Sequence, residues 1–275
     1  MGLALSLALA SLSGILYFLG FVGFGVHPLI WICFVPVLLA LRNTSLKNTV
    51  VVGAVFGLVT NLGGYYWVIH LLKEFAHLNT PLSFIGYVLL CLYQGSLLAL
   101  VLLLVYQARK HFSLPPVWTL PVAFVAAEKF YPLLFPSYIG NSLYQLTFIT
   151  QFVDITGMLG LTALICLVNG AIYEGIESRL EKRPIHRLRI VIPAALILVV
   201  LTYGAYTSAV YEQIAKDSPK LEIGMIQTNL GARDKAAKRS EFIQRHVQMS
   251  KALVAEHPDL DLLIWPESAY NAWVD

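Results

Sequence analysis

Seven long apolar runs follow one another along the first three quarters of the chain, at roughly 3–22, 25–41, 49–72, 82–107, 114–135, 146–173 and 190–211. A helix needs about 20 mostly apolar residues to cross a bilayer core. The pattern therefore predicts an α-helical transmembrane bundle of seven spans over 1–211. The second run is short and holds Pro36. The fifth holds Pro115, Pro116, Pro121 and Pro132, and is expected to kink or to lie partly at the interface. After Tyr211 the pattern changes. Leu221 to Gln227 alternates at first and reads as a strand. From Ala236 to Ala255, the apolar Phe242, Ile243, Val247, Leu253 and Val254 recur at helical spacing among charged residues, an amphipathic helix. Leu260 to Trp265 is a compact apolar run broken only by Asp261, the pattern of a buried strand. Strand, helix, strand in so short a stretch predicts a βαβ unit with a parallel pair over 212–275.

Charge sharpens this division. Hydrophobic residues make up 57% of the 275 residues and charged ones only 13%, against about 25% charged in a soluble domain. Residues 1–211 carry 17 of the 35 charged residues, and 212–275 carry 18. The imbalance excludes a single soluble domain, a disordered chain and a disulfide-stapled secreted module. No nucleic-acid partner is expected, because a binder would cluster its basic residues on a folded face, and most of those here sit between apolar runs. Arg42, Lys47, Arg109, Lys110, Arg179, Lys182, Arg183, Arg187 and Arg189 fall in loops on one side, whereas the opposite loops hold Lys73 and Lys129. By the positive-inside rule the amino terminus is cytoplasmic and the polar tail emerges on the far side, the periplasm of a two-membrane bacterium. Ala8-Leu9-Ala10 fits a signal-peptide cleavage site, but no Lys or Arg precedes the first apolar run, so a retained helix is expected.

Candidate chemistry is sparse within the spans. Cys33, Cys91 and Cys166 all lie in apolar runs and read as small buried hydrophobes. No His/Cys cluster has metal-ligand spacing. Gly53 and Gly57 form a small-xxx-small pair suited to close helix packing. Two readings of Glu128 and Lys129 stand side by side: an outer-interface position with water access, or polar groups lining a lipid-access cleft. Asp154 is expected at the outer headgroup level, sharing a face of the sixth span with Gly157 and Gly160, and Asn169 as an interhelical hydrogen-bond donor. In the tail, Pro266 ends the second strand just before Glu267. Ligands of parallel sheets gather at the carboxyl ends of strands. Glu267 is thus either a general base partly desolvated by Trp265, or a solvated loop glutamate.

The segment Leu263-Ile264-Trp265-Pro266-Glu267-Ser268-Ala269 resembles the WPE[ST]A segment of the apolipoprotein N-acyltransferase family. Met225-Ile226-Gln227-Thr228-Asn229 is similar to the opening strand of that family's nitrilase-like domain. Gly140 to Gln145, Gln151 to Gly160, Val168-Asn169, Tyr66-Trp67-Val68, and Pro116-Val117-Trp118 with Glu128 also resemble family stretches, so the likeness covers nearly all 275 residues. The resemblance implies an α-β-β-α nitrilase-like domain beginning at about residue 212. It implies an inner-membrane enzyme that moves an acyl chain from a phospholipid to a cysteine thiol, and then to the amino-terminal diacylglyceryl-cysteine of an apolipoprotein. Phospholipid donor, apolipoprotein acceptor and membrane lipids are the implied partners, and no cofactor is implied.

By the same resemblance, Glu267 takes the general-base role in a Glu-Lys-Cys triad, in which the lysine cation steadies the oxyanion. No residue here corresponds to that lysine or cysteine. The tryptophan that often follows the position of Lys235 is replaced by Ala236. The chain therefore reads as an amino-terminal portion, inactive by itself. The alternatives are another membrane-bound nitrilase-like amidase or acyltransferase, or a non-catalytic membrane scaffold or lipid-binding protein.

Overall fold

The computed structural model describes residues 2–229, 239–267 and 269. Lys235, Ala236 and Ser268 lie outside them. The chain divides into two units, Met1–Tyr211 and Glu212–Asp275.

In the first unit, five helices are long and apolar enough to cross a membrane: α1 (Leu3–Gly20), α3 (Leu46–Gly64), α5 (Thr80–Phe112), α9 (Met158–Leu180) and α10 (Leu188–Asp217). Shorter helices connect or supplement them: α2 (Val35–Ala40), α4 (Val68–Glu74), α6 (Pro116–Phe130), α7 (Thr147–Thr150) and α8 (Val153–Thr156). Capping chemistry sets several boundaries. Asn79 Oδ1 accepts the Leu82 amide at 3.0 Å to start α5, and Pro81 fits its first turn. Ser45 Oγ caps α3 in the same way. Ser113, at φ +53°, ends α5, and Pro115 and Pro116 begin α6.

Four of the seven expected spans need correction. The fifth, expected over 114–135, is the 15-residue α6, which is not among the helices long enough to cross a membrane. The second is not a helix of 17 residues. A 3-10 turn at His27–Trp31 is followed by the six-residue α2, because Gly23, Gly25, Pro28 and Pro36 interrupt the backbone. The third stops at Gly64, and a turn at 65–67 separates it from α4. The sixth begins only at Met158. Gly157 takes φ +65° and leaves α7 and α8 as separate single turns, so Asp154 shares no helix face with Gly160. Asp154 is instead exposed and accepts a 2.7 Å hydrogen bond from Tyr203 of α10.

Packing runs from α1 through α3 to α5, and from α5 through α6 to α9. Gly53 and Gly57 make the α3–α5 crossing close. A Cβ on Gly57 would stand 2.1 Å from the Gly95 carbonyl oxygen, and one on Gly53 would stand 2.9 Å from Ala99 Cα. Tyr17, Phe34, Phe56 and Phe124 meet edge-on, at 5.2–6.2 Å, in the centre of the core. On α10, Leu198, Val199 and Tyr206 remain exposed, as lipid-facing side chains are.

The broken second crossing is held by side chains. Asn169 of α9 accepts the Phe34 amide at 2.9 Å and donates to the Ile30 and Ile165 carbonyls, each at 2.9 Å. Ser13 of α1 accepts the Val37 amide at 2.8 Å. Asn169 thus combines the donor role that the sequence predicts with an acceptor role toward a freed backbone amide.

The second unit contains β1 (Ile223–Met225), α11 (Arg239–Glu256) and β2 (Leu262–Ile264). The strands pair in parallel, Ile223 with Leu262 and Met225 with Ile264, as the strand-helix-strand pattern predicts. They are shorter than the apolar runs, since Pro266 cannot extend the ladder past Trp265.

Asn169→Leu should leave the Phe34 amide without a partner and the Ile30 carbonyl with only the weak Cys33 thiol, at membrane depth. The expected loss is about 2–4 kcal/mol of stability, read as denaturant unfolding of the detergent-solubilised chain. Val122→Leu, at a side chain 70% exposed, should change little. Equal unfolding curves for the two variants would refute the role given to Asn169.

Candidate functional site

A cavity of about 300 Å3 opens among α1, α3, α5, α6 and the non-helical segment 131–137. Seven of its seventeen lining residues are aromatic, among them Tyr17, Phe21, Tyr65, Trp67, Phe124 and Phe135. Asn61, Gln94 and Glu128 supply most of its polarity. The carboxyl-terminal ends of α1, α3 and α6 all contribute, so the cavity belongs to one end of the bundle.

Each polar group has a structural anchor. Gln94 is buried. Its Nε2 donates to the Phe135 carbonyl at 3.0 Å and to Tyr65 Oη at 3.2 Å, and its Oε1 accepts the Leu134 amide at 3.0 Å. Tyr93 donates to the Pro132 carbonyl, and Ser96 bonds to Tyr131. These bonds hold 131–137, which has no helical partners of its own, against α5. Asn61 donates to the Gly57 carbonyl one turn back at 2.7 Å.

Glu128 is only 7% exposed. Its Oε1 accepts the Ile139 amide at 2.7 Å, and its Oε2 accepts the Thr162 hydroxyl at 2.6 Å. Glu128 is a buried group in a cavity wall, whereas the neighbouring Lys129 is exposed. The carboxylate ties α6 to the 3-10 turn at Ile139–Leu143 and to α9.

The cavity presents hydrocarbon and aromatic surface with few polar groups, the make-up of a site for an apolar chain bearing a polar head. It contains no thiol. Cys33, Cys91 and Cys166 are buried elsewhere, and the Cys33 thiol faces the Ile30 carbonyl at 3.2 Å. Among the described residues, no three His, Cys, Asp or Glu side chains converge as metal ligands.

Glu267 lies in the turn after β2 and is exposed, so Trp265 does not desolvate it there. Trp265 faces α11. Its Nε1 donates to Ser250 Oγ at 2.8 Å, and its ring packs against His246 at 5.1 Å. Ser250 in turn donates to the His246 carbonyl at 2.7 Å. The strand end that presents Glu267 is therefore pinned to the helix by the residue two positions earlier.

At the opposite end of the bundle stands a network that the sequence reading missed. Glu177 of α9 has its side chain 2% exposed and takes Arg109 and Arg183, each at 2.6 Å, with Arg42 at 3.6 Å and the Tyr173 hydroxyl beside it. Glu174 pairs with Arg189 at 2.7 Å, and Glu181 pairs with Arg42 at 3.1 Å and Arg183 at 2.7 Å. Burial opposes the charge of Arg183, but Glu177, Glu181 and Glu174 outweigh it and raise the guanidinium above the usual arginine range. The signal was available: three glutamates spaced i, i+3 and i+7 place their carboxylates on one face of a largely apolar helix, and each needs a cation.

A family model described as the apolipoprotein N-acyltransferase N-terminal domain matches residues 13–171. The chain is 30% identical over 272 residues to an apolipoprotein N-acyltransferase of Geobacter metallireducens, covering 95% of this chain and 50% of that protein. It is 22% identical over 279 residues to one of Bdellovibrio bacteriovorus, covering 97% and 50%. It is 25% identical over 229 residues to apolipoprotein N-acyltransferase 2 of Leptospira interrogans, covering 78% and 38%. The chain spans about half the length of the first two of these relatives, and less of the third.

Glu128→Ala should strand a buried amide and a buried hydroxyl, and lower stability by about 2–4 kcal/mol. Glu128→Gln, whose carbonyl still accepts the Ile139 amide and whose amide still meets Thr162, should lose less than half of that. Thermal unfolding in detergent measures both. A Gln variant as damaged as the Ala variant would mean that the negative charge, and not the hydrogen-bond pair, holds the site.

Proposed function

The chain belongs to the apolipoprotein N-acyltransferase family, and on that premise we propose that this multi-pass membrane protein serves the N-acylation of lipoproteins, with a membrane phospholipid as acyl donor. The observation that carries the reading is the aromatic-walled cavity in the bundle the family model matches. Its apolar walls suit part of an acyl chain, and Glu128 and Gln94 fix the segments that shape it.

The basic end of the bundle, with Arg42, Arg109, Arg183 and Arg189, lies toward the cytoplasm of the inner membrane. The cavity then opens in the outer leaflet. The carboxyl-terminal half of α10 ends on that same side: Arg189 at its start pairs with Glu174 at the basic end, and Tyr203 further along meets Asp154. Residues from 212 onward begin a periplasmic nitrilase-like domain, and the acceptor is the amino group of a diacylglyceryl-cysteine on an apolipoprotein.

In this chemistry a thiolate attacks the ester carbonyl of the donor, and the lipid alkoxide leaves as the lysophospholipid. The acceptor amine then attacks the thioester and releases the thiol. Glu267 is the base that takes the thiol proton. Its place at the end of a parallel strand, with Trp265 anchored to α11, suits a group that must be held at a sheet edge. Residues 1–275 place no cysteine outside the apolar runs. They are therefore not expected to complete the transfer by themselves.

The test is the mass of a lipoprotein amino terminus in cells depleted of their own N-acyltransferase. The coding sequence, extended to include a nitrilase-like domain with its thiol, should restore the third acyl chain. Glu267→Gln should reduce that restoration by about 10²-fold or more. Residues 1–275 alone should leave the diacyl form. Full acylation by the Gln variant would remove Glu267 from the mechanism, and acylation by 1–275 alone would overturn the need for a further thiol.

A further inference from the structure

One serine of the second unit joins α11 to the end of β2. The Ser250 hydroxyl accepts the Trp265 indole N–H at 2.8 Å and donates to the His246 carbonyl, one turn back in the helix, at 2.7 Å. An indole N–H only donates and a carbonyl only accepts, so the atom between them must do both. A hydroxyl does; the side chains of alanine and valine do not. His246 completes the seat. It is fully buried, and its Nδ1–H donates to the Phe242 carbonyl at 2.8 Å. Its ring lies 4.5 Å from that of Phe242 and 5.1 Å from that of Trp265. The indole is thus fixed at its nitrogen by Ser250 and along its ring by His246.

What Trp265 fixes, Glu267 inherits. Only Pro266 stands between them, and its ring holds φ at about −65°. Beyond Glu267, the Ala269 amide donates to the Pro266 carbonyl at 3.1 Å, and Ala269 is buried. Glu267 therefore stands exposed in a turn held on both sides, by the indole before it and by Ala269 after it. β2 alone gives little rigidity, since it is three residues long and pairs with β1 only, among the described residues. A carboxylate that takes a proton must stand within hydrogen-bond reach of it. A displacement of about 1 Å can cost about 10²-fold in rate. We propose that Ser250 is a positioning residue for the transfer: by bridging Trp265 to His246, its hydroxyl sets where Glu267 stands. The proposal rests on the reading of Glu267 as the general base, and it adds to that reading the group that holds the base in place.

The test uses the protein extended to include its nitrilase-like domain and thiol, with a phospholipid donor and a diacylglyceryl lipopeptide as acceptor. Ser250→Ala places a strong helix former in α11 and removes the bridge. It should lower kcat about tenfold while KM for both substrates stays within about twofold, the mark of an interaction used only in the transition state. Ser250→Thr, whose hydroxyl can make both bonds, should keep a kcat near that of the parent. Ser250→Val, of the same shape as the Thr variant, should be as slow as Ser250→Ala. In a Glu267→Gln background, Ser250→Ala should cost nothing further, because the group it positions is gone. A serine that only supports folding would lower the unfolding temperature and leave kcat per folded molecule unchanged, and that result overturns the proposal. So does a Thr variant as slow as the Val variant, or an equal loss from Ser250→Ala with and without Glu267→Gln. Full kcat in Glu267→Gln alone refutes the base assignment itself. Full kcat in Ser250→Ala beside a slow Glu267→Gln refutes only the positioning role.

Discussion

No water reaches a backbone amide in the middle of a bilayer, and the architecture of this bundle follows from how it meets that constraint. A continuous helix satisfies its own amides and carbonyls; an interrupted one does not. The bundle contains at least three interruptions, and side chains reaching from neighbouring helices close each of them. Asn169 serves the break at Ile30–Phe34, Gln94 serves 131–137, and Glu128 serves the turn at Ile139. Amide and carboxylate groups are suited to this work because one side chain can accept, or accept and donate, at two places at once. The polar residues that look anomalous in apolar runs are therefore what allows the runs to be discontinuous.

Discontinuity in turn makes room. Seven uninterrupted helices packed at 8–10 Å would leave no cavity of useful size. Here α1, α3 and α6 give way near the same end to non-helical segments at 21–26, 65–67 and 131–137, and the aromatic cavity occupies the space among them. Where the helices instead approach closely, at Gly53 and Gly57 against α5, no void forms. The same chain thus builds a tight seam and an open end from the same elements.

Hydropathy made the long helices legible, because α1, α3, α5 and α10 each bury or expose an unbroken apolar stretch. It did not reveal the breaks. Mean apolarity measures what a segment costs to hydrate, and His27–Ala40, its 3-10 turn included, is apolar throughout on average. The glycines and prolines at 23, 25, 28 and 36 marked the interruption, but the partner that makes it tolerable, Asn169, is about 135 residues away and has no local signature. In the tail the strand-helix-strand order was legible from periodicity alone, and with it the parallel pairing, though not its register. Glu267 was legible as the residue after a strand-ending proline. The sequence left it either desolvated or solvated, because the direction taken by Trp265 depends on Ser250 and His246 of the preceding helix.

The glutamates of α9 show a different limit. The arginines around them were counted for what they say about orientation, a property of net sign in loops. Structure turns those same charges inward. Glu177 draws Arg42, Arg109 and Arg183 from three separate parts of the chain onto one buried carboxylate. Removing one member of such a group leaves the others buried and uncompensated, so the cluster is held together more by the penalty of breaking it than by the gain of forming it. A residue can therefore carry a topological signal and a packing role at once. Charge counts along the sequence read only the first, whereas the second appears when each buried carboxylate is asked for its cation.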